Sequence, residues 1–143
     1  MTFQQCPPPL DPKLFPREPG DSVNLPQGLA YAATVDASTE TSISIGHALI
    51  APNFLTVATT NTEDEPLLGA ALQAGQPGDV ILVLVRGVIL VDFIPGFGPN
   101  DQPDLGGLIS STTPGVAKWA EFGGGRGLLL HWQLDPDQAY WLL

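Results

Sequence analysis

From residue 28 onward, apolar residues recur in short runs that are separated by turn-forming residues and lack helical spacing. Leu29, Tyr31, Ala33 and Val35 alternate with small or polar residues, as in a strand with one buried face. Further runs of this kind cover residues 42–45, 48–51, 55–59, 67–73, 108–111, 116–122 and 128–134. The pattern predicts an all-β body of many short strands. Residues 116–122 are also compatible with a single helical turn.

The longest apolar run covers residues 80–91 and follows a Gln-Pro-Gly-Asp turn at residues 76–79. This run is too continuous for a strand with one solvent-exposed face, so we expect both of its faces to be covered. Gly87 interrupts the run and indicates a β-bulge, the close approach of another backbone, or both. The residues expected to be most buried are Ile81, Val83, Val85, Ile89 and Val91.

The first 27 residues differ from the rest because they contain seven of the fifteen prolines. Proline fixes φ and lacks a backbone donor, so this segment cannot be a helix or a central strand. We interpret residues 1–27 as an extended N-terminal arm and residues 28–143 as the body; the alternative is a disordered tail. Four scattered apolar residues favour an arm that docks on its own body or on a neighbour: Phe3, Leu10, Leu14 and Phe15. At the other end, the apolar segment 139–143 is expected to close the sheet or to meet a partner.

The chain is acidic, with a formal net charge of −10 from 15 Asp and Glu against 5 Lys and Arg. It therefore lacks the cationic surface that nucleic acids and anionic membranes require. The single cysteine, Cys6, excludes an intramolecular disulfide. Neither a secretory signal nor a continuous membrane-spanning run is evident. We expect a soluble protein.

Candidate catalytic and metal-binding groups are few. Ser44 and His47 lie close in sequence and His131 is the second histidine, but no nucleophile motif surrounds them. Asp135 and Asp137 flank Pro136 and could weakly hold a hard cation, but no zinc or EF-hand spacing is present and a solvated turn is the favoured interpretation. The glycine-rich segment 123–127, which contains Arg126, resembles an anion-binding nest but lacks the P-loop context. We expect no catalytic, cofactor or metal site, and we expect the protein not to be an enzyme.

Three tryptophans, Trp119, Trp132 and Trp141, leave an alternative function open. Tryptophan rings can stack on sugars, so they could belong to a glycan-binding β-sandwich or to a phage tail or fibre module. The glycine- and proline-rich loop at residues 95–103 supports the same alternative. Packing in the core is the default interpretation for tryptophans in a small domain.

The order of several motifs resembles that of capsid decoration proteins of tailed bacteriophages, over roughly residues 45–134. The motifs are Gly46-His47-Ala48-Leu49, Pro66-Leu67-Leu68-Gly69-Ala70-Ala71-Leu72, Gly78-Asp79-Val80, Gly87-Val88, the run from Gly106 to Gly115, and Gly127-Leu128-Leu129-Leu130. The resemblance implies a compact β-barrel or β-sandwich of the β-tulip kind. It also implies a structural role on the outer surface of the virion, where the arm binds the major capsid protein and copies cluster as homotrimers.

Overall fold

The computed structural model describes residues 18–37, 42–60, 62–94, 106–120, 125–133 and 137–143. Within these ranges the protein is all-β, with no helix. Its strands are Ser22–Leu25 (β1), Gly28–Val35 (β2), Ala48–Leu49 (β3), Thr56–Val57 (β4), Gly69–Ala71 (β5), Val80–Ile94 (β6), Leu108–Ser110 (β7), Ala117–Trp119 (β8), Leu128–Gln133 (β9) and Gln138–Leu142 (β10). The predicted all-β class is confirmed, and the described part of residues 116–122 contains a strand.

Strand β6 connects the other strands into one sheet, and its two halves have different neighbours. In the first half, Val83 and Leu84 pair with β2 on one edge and with β5 on the other. In the second half, Val88–Asp92 pairs antiparallel with β10, and the end of β6 pairs parallel with β8. The main path through the sheet is therefore β1–β2–β6–β10–β9.

The halves of β6 meet at Gly87, which lies opposite Gly28 of β2. A Cβ on Gly87 would lie 1.9 Å from the Gln27 carbonyl oxygen, and a Cβ on Gly28 would lie 1.9 Å from that of Arg86. The β2–β6 register also shifts beside this pair, because Leu29 pairs with Arg86 but Ala30 pairs with Leu84. Gly87 thus has the predicted close backbone approach, whereas the bulge lies two residues earlier, at the unpaired Val85.

Two apolar clusters make up the core, one beside each half of β6. The first contains Ile81 and Val83 of β6 together with residues of β2, β4 and β5. The second contains Val91 and Phe93 of β6 with Trp141 of β10. Of the five residues expected to be most buried, Ile81, Val83 and Val91 are at most 2% exposed. Val85 and Ile89 are only partly buried, because Val85 lies at the bulge and Ile89 lies near the start of the second half.

The described part of the predicted arm ends in strand β1, which pairs with β2 and with no other strand. An edge position is where a proline-flanked strand is tolerated. The four anchors Phe3, Leu10, Leu14 and Phe15 lie outside the described residues. The predicted role of the apolar C-terminal segment in closing the sheet is confirmed, because Gln138–Leu142 pairs with both β6 and β9.

Candidate interaction surfaces

The solvent side of strands β6, β10 and β9 carries two adjacent rows of mostly apolar side chains, which we call the outer face. Strand pairing aligns Leu142 with both Val88 and Leu128 in the first row. In the second row, Tyr140 lies opposite Leu90 on one side and the exposed His131 on the other, and Leu130 occupies the bulge beside His131. Val88, Leu128, Leu130 and Tyr140 are 38–46% exposed, and Leu90 and Leu142 are partly buried. The intervening residues, such as Val91, Ala139 and Trp141, point into the core.

A third row, which is polar, bounds the outer face. Gln138 lies opposite Asp92 on one side and Gln133 on the other. Its amide donates to Asp92 Oδ1 at 3.5 Å, and Gln133 Nε2 donates to Gln138 Oε1 at 3.3 Å. The side-chain pattern of these three strands therefore changes from apolar to polar across one row.

The two apolar rows contain no carboxylate side chain, although the chain as a whole has a net charge of −10. The solvent side of an antiparallel sheet is ordinarily polar, since alternation places apolar residues inward. A contiguous exposed apolar area on an acidic protein indicates a surface that is covered by another segment or molecule. The outer face is therefore the first candidate interaction surface.

Phe54 forms the second candidate surface, because it is 88% exposed on a hydrogen-bonded turn between β3 and β4. The Asn53 N–H donates to Thr56 Oγ1 at 3.0 Å, and this hydroxyl donates back to the Asn53 carbonyl at 3.1 Å. Leu55 has a φ of 59° and accepts a hydrogen bond from the Thr34 N–H. Such a fixed turn presents the aromatic ring with little backbone freedom left to lose on binding.

The arm joins the body beside this turn. The Gly20 N–H donates to the Ala32 carbonyl at 2.8 Å, and a Cβ on Gly20 would lie 3.4 Å from Leu55 Cδ1. Residues 1–17 are therefore attached close to the Phe54 turn. Sequence reasoning separated the runs at residues 48–51 and 55–59, but it missed the exposed aromatic residue between them.

The side chains around His47 are close together but do not have the geometry of an activated nucleophile. His47 Nδ1 accepts the backbone N–H of Ser44 at 3.2 Å, and its Nε2 lies 3.8 Å from Asp92 Oδ2. The ring lone pair that could take a proton from the Ser44 hydroxyl is therefore engaged by the Ser44 amide. His131 is exposed on β9 and lies near Trp132, with ring centroids 6.5 Å apart.

Arg126 belongs to the glycine-rich segment that resembled an anion-binding nest, and the structure gives it a different role. Its guanidinium donates to the backbone carbonyls of Leu68 and Val85, the latter at 2.7 Å. Its own carbonyl accepts the Trp141 indole N–H at 2.7 Å. Burial, and then the charge of Arg86, lower the pKa of this guanidinium. Arg126 thus connects the segment before β5, the first half of β6 and β10 through hydrogen bonds that sequence reasoning did not anticipate.

The tryptophans and acidic groups do not form a shared site in the described ranges. Trp141 is fully buried, so the three tryptophans share no exposed platform.

Glu63 and Asp64 form ion pairs with Lys118, at 2.7 and 2.9 Å. The hydrogen bond from Lys118 to Glu63 is the main reason that the pKa of Lys118 is raised. The described residues contain no cluster that could hold a metal ion. Asp137 is exposed, and Asp135 lies outside the described residues.

Comparisons with known proteins add no further assignment. No protein-family model matches the chain, and searches of curated proteins and of solved structures likewise gave no match. Among the described residues there is also no helix long and apolar enough to cross a membrane.

Proposed function

We propose that this protein is a structural virion protein that decorates and stabilises the capsid of a tailed bacteriophage. In this role it binds the outer surface of the major capsid protein lattice, as a homotrimer or in clustered copies. The arm residues Phe3, Leu10, Leu14 and Phe15 supply apolar anchors for that contact. The motif order described above is the reason for naming this class of partner.

The observation that carries the proposal is the position of the Phe54 turn beside the attachment point of the arm. Exposed aromatic side chains on rigid backbones are frequent anchors of protein interfaces. Because Gly20 lies against Leu55, the arm and Phe54 can contact one partner at the same time. Repetition of such a contact over a lattice raises the overall binding strength through avidity, without any need for a tight single site.

No observation favours the glycan-binding alternative over this proposal. That alternative depends on an aromatic platform, and Trp141 is buried with its indole nitrogen donating to Arg126. A phage tail or fibre module would also be present in few copies per particle. A reconstruction of the native particle distinguishes the two functions by location and copy number.

The direct test is co-sedimentation of the full-length protein with phage heads that lack it. We expect serine substitutions at Leu10, Leu14 and Phe15 to weaken binding at least tenfold, because each buried apolar side chain contributes about 1.5–3 kcal/mol. Occupancy equal to that of the wild type would show that the arm is not the contact.

Phe54→Ser in the same assay tests the turn, with Ile45→Ser as the matched control. Both residues are exposed apolar side chains, at 88% and 68%, but Ile45 lies in a different loop. We expect weaker binding for Phe54→Ser alone. An equal loss for both variants would indicate nonspecific adhesion.

A further inference from the structure

The outer face has no cover among the described residues, yet its neighbours along β10 are fully buried. Tyr140 is 44% exposed, whereas Ala139 and Trp141 on either side are 0% exposed. The exposed side chains are therefore held in place by a rigid strand, and they would be dehydrated by any apolar segment that lay across the three strands. An occupant of this face must be apolar.

The first 17 residues of the same chain have this chemistry. They contain Phe3 and Leu10, and they are the cationic part of an acidic protein. Lys13 and Arg17 account for two of the five basic residues, whereas only Asp11 of the fifteen acidic residues lies there. The remaining residues have a formal net charge of −11, from 14 Asp and Glu against 3 Lys and Arg, so the segment is attracted to the body electrostatically.

The segment is also long enough to reach the outer face from its attachment point. Gly20 bonds to Ala32, which pairs with Leu82, and Val88 follows six residues later on the same strand. Six strand residues span about 20 Å, and the two intervening inter-strand spacings add about 10 Å sideways. Leu10 is ten residues from Gly20 and can reach about 33 Å, and Phe3 can reach farther. Leu14 and Phe15 are too close to Gly20 to extend beyond the near edge of the face.

We propose that residues 1–17 dock on the outer face of their own body in the free protein, with Phe3 and Leu10 against Val88, Leu90 and Tyr140. A tether of this length gives an effective concentration on the order of millimolar, so a weak contact is enough to keep the face covered. Five prolines in the segment reduce the conformational entropy that docking must overcome. The docked segment shields Phe3 and Leu10 from water, and in the function proposed above a capsid would compete for them.

The native Cys6 lies between Phe3 and Leu10 and provides a built-in reporter. Tyr140→Cys and Leu130→Cys place a second thiol at two positions on the outer face. Ala74→Cys is the matched control, because Ala74 is exposed in the segment between β5 and β6, at the end of the sheet where the arm is attached. Each full-length variant is oxidised with diamide at low protein concentration, and disulfide formation is followed on non-reducing gels. No capsid is present, so the outcome is independent of capsid binding.

We expect both face variants to form an intramolecular disulfide at least tenfold faster than the Ala74→Cys variant. Random collisions of a tethered segment would favour Ala74, which is nearer to Gly20 along the sheet. Equal or faster oxidation of the control would therefore overturn the proposal. Disulfides that form only between chains would also overturn it and would assign the outer face to a second copy. Because two face positions are tested, failure of one variant to fold leaves the other to decide.

Discussion

The two halves of strand β6 have nearly the same composition and very different surroundings. Residues 81–84 are all at most 2% exposed, so the side chains on both faces are buried, and β2 and β5 pair with the two edges of this half. In the second half, Val91 and Phe93 point into the core, whereas Val88 is 41% exposed. Valine, isoleucine and leucine therefore occur here in two roles, as core residues and as an apolar surface.

This difference shows what an apolar run specifies and what it leaves open. A continuous run of β-branched residues favours a strand, but the number of covered faces depends on strands that pair with it from far along the chain. From residue 81 to residue 84 the side chains on both faces are buried. After Gly87 the sheet passes to β10 and β9, and the side chains on one face of this part remain exposed.

The largest expected effect comes from placing the same charge in each half. Val83→Asp would bury a carboxylate without a partner between β2 and β5. We expect the free energy of unfolding to fall by at least about 5 kcal/mol, so that the protein fails to fold. Val88→Asp places the carboxylate on the exposed face and should cost only about 1 kcal/mol. Thermal unfolding followed by circular dichroism measures both. A soluble Val83→Asp protein with the wild-type melting temperature would contradict the assignment of the core.

The junction between the halves is tested by Gly87→Ala. The new Cβ would collide with the Gln27 carbonyl, and the φ of 127° is unfavourable for alanine, so we expect a loss of more than about 3 kcal/mol. Gly78→Ala is the control, because Gly78 has a φ of 95° but a Cβ added there would meet nothing within 4 Å. It should lose only about 1–2 kcal/mol through backbone strain. Urea unfolding measures the free energy of unfolding of both variants. Similar decreases for Gly87→Ala and Gly78→Ala would mean that the backbones do not approach closely at Gly87.

Arg126 connects the two halves, and Arg126→Lys tests that connection. An ammonium group cannot reproduce the fork with which the guanidinium donates to the Leu68 and Val85 carbonyls. We expect a loss of about 1.5–3 kcal/mol in urea unfolding, the usual contribution of hydrogen bonds from a charged group. Arg86→Lys changes an exposed side chain in the same way and should stay within about 0.5 kcal/mol of the wild type. Equal stability of the two variants would remove Arg126 from this structural role.

The smallest expected effect concerns Tyr31, which packs against the cluster beside the first half of β6. Burial raises the pKa of Tyr31 above its ordinary value of 10.0, and the Arg126 charge opposes this shift. A raised folded-state pKa contributes stability that is present below pH 10 and is lost as the pH rises through the folded-state pKa. Tyr31→Phe should therefore lose less stability than the wild type in urea unfolding as the pH rises above 10. Lys118 titrates in both proteins, so identical slopes would contradict the burial of the phenol.

The features that sequence could predict are those with local causes. The Pro-Gly turn before β6, the alternation in β2 and the special role of Gly87 follow from the residues themselves. Arg126 could not be assigned, because its acceptors Leu68 and Val85 are 58 and 41 residues away. The outer face had one local signal, the consecutive apolar residues of β10. The apolar C-terminal segment was expected either to close the sheet or to meet a partner. In the structure, one side of β10 is buried and completes the sheet, and its other side is exposed and could contact a partner.

The pairing of β6 also has a consequence for the rate at which the chain folds. Its contacts with β2 and β10 join residues that are far apart along the chain, such as Ala30 with Leu84 and Ile89 with Trp141. Only the antiparallel pairing with β5 is comparatively local, since Ala70 meets Leu84. Closing such long loops before they are stabilised by contacts slows folding, and sheets with this topology fold in about milliseconds to seconds. We therefore expect β5 and the first half of β6 to pair early, with β2 and β10 joining from opposite ends of the chain in the slower step.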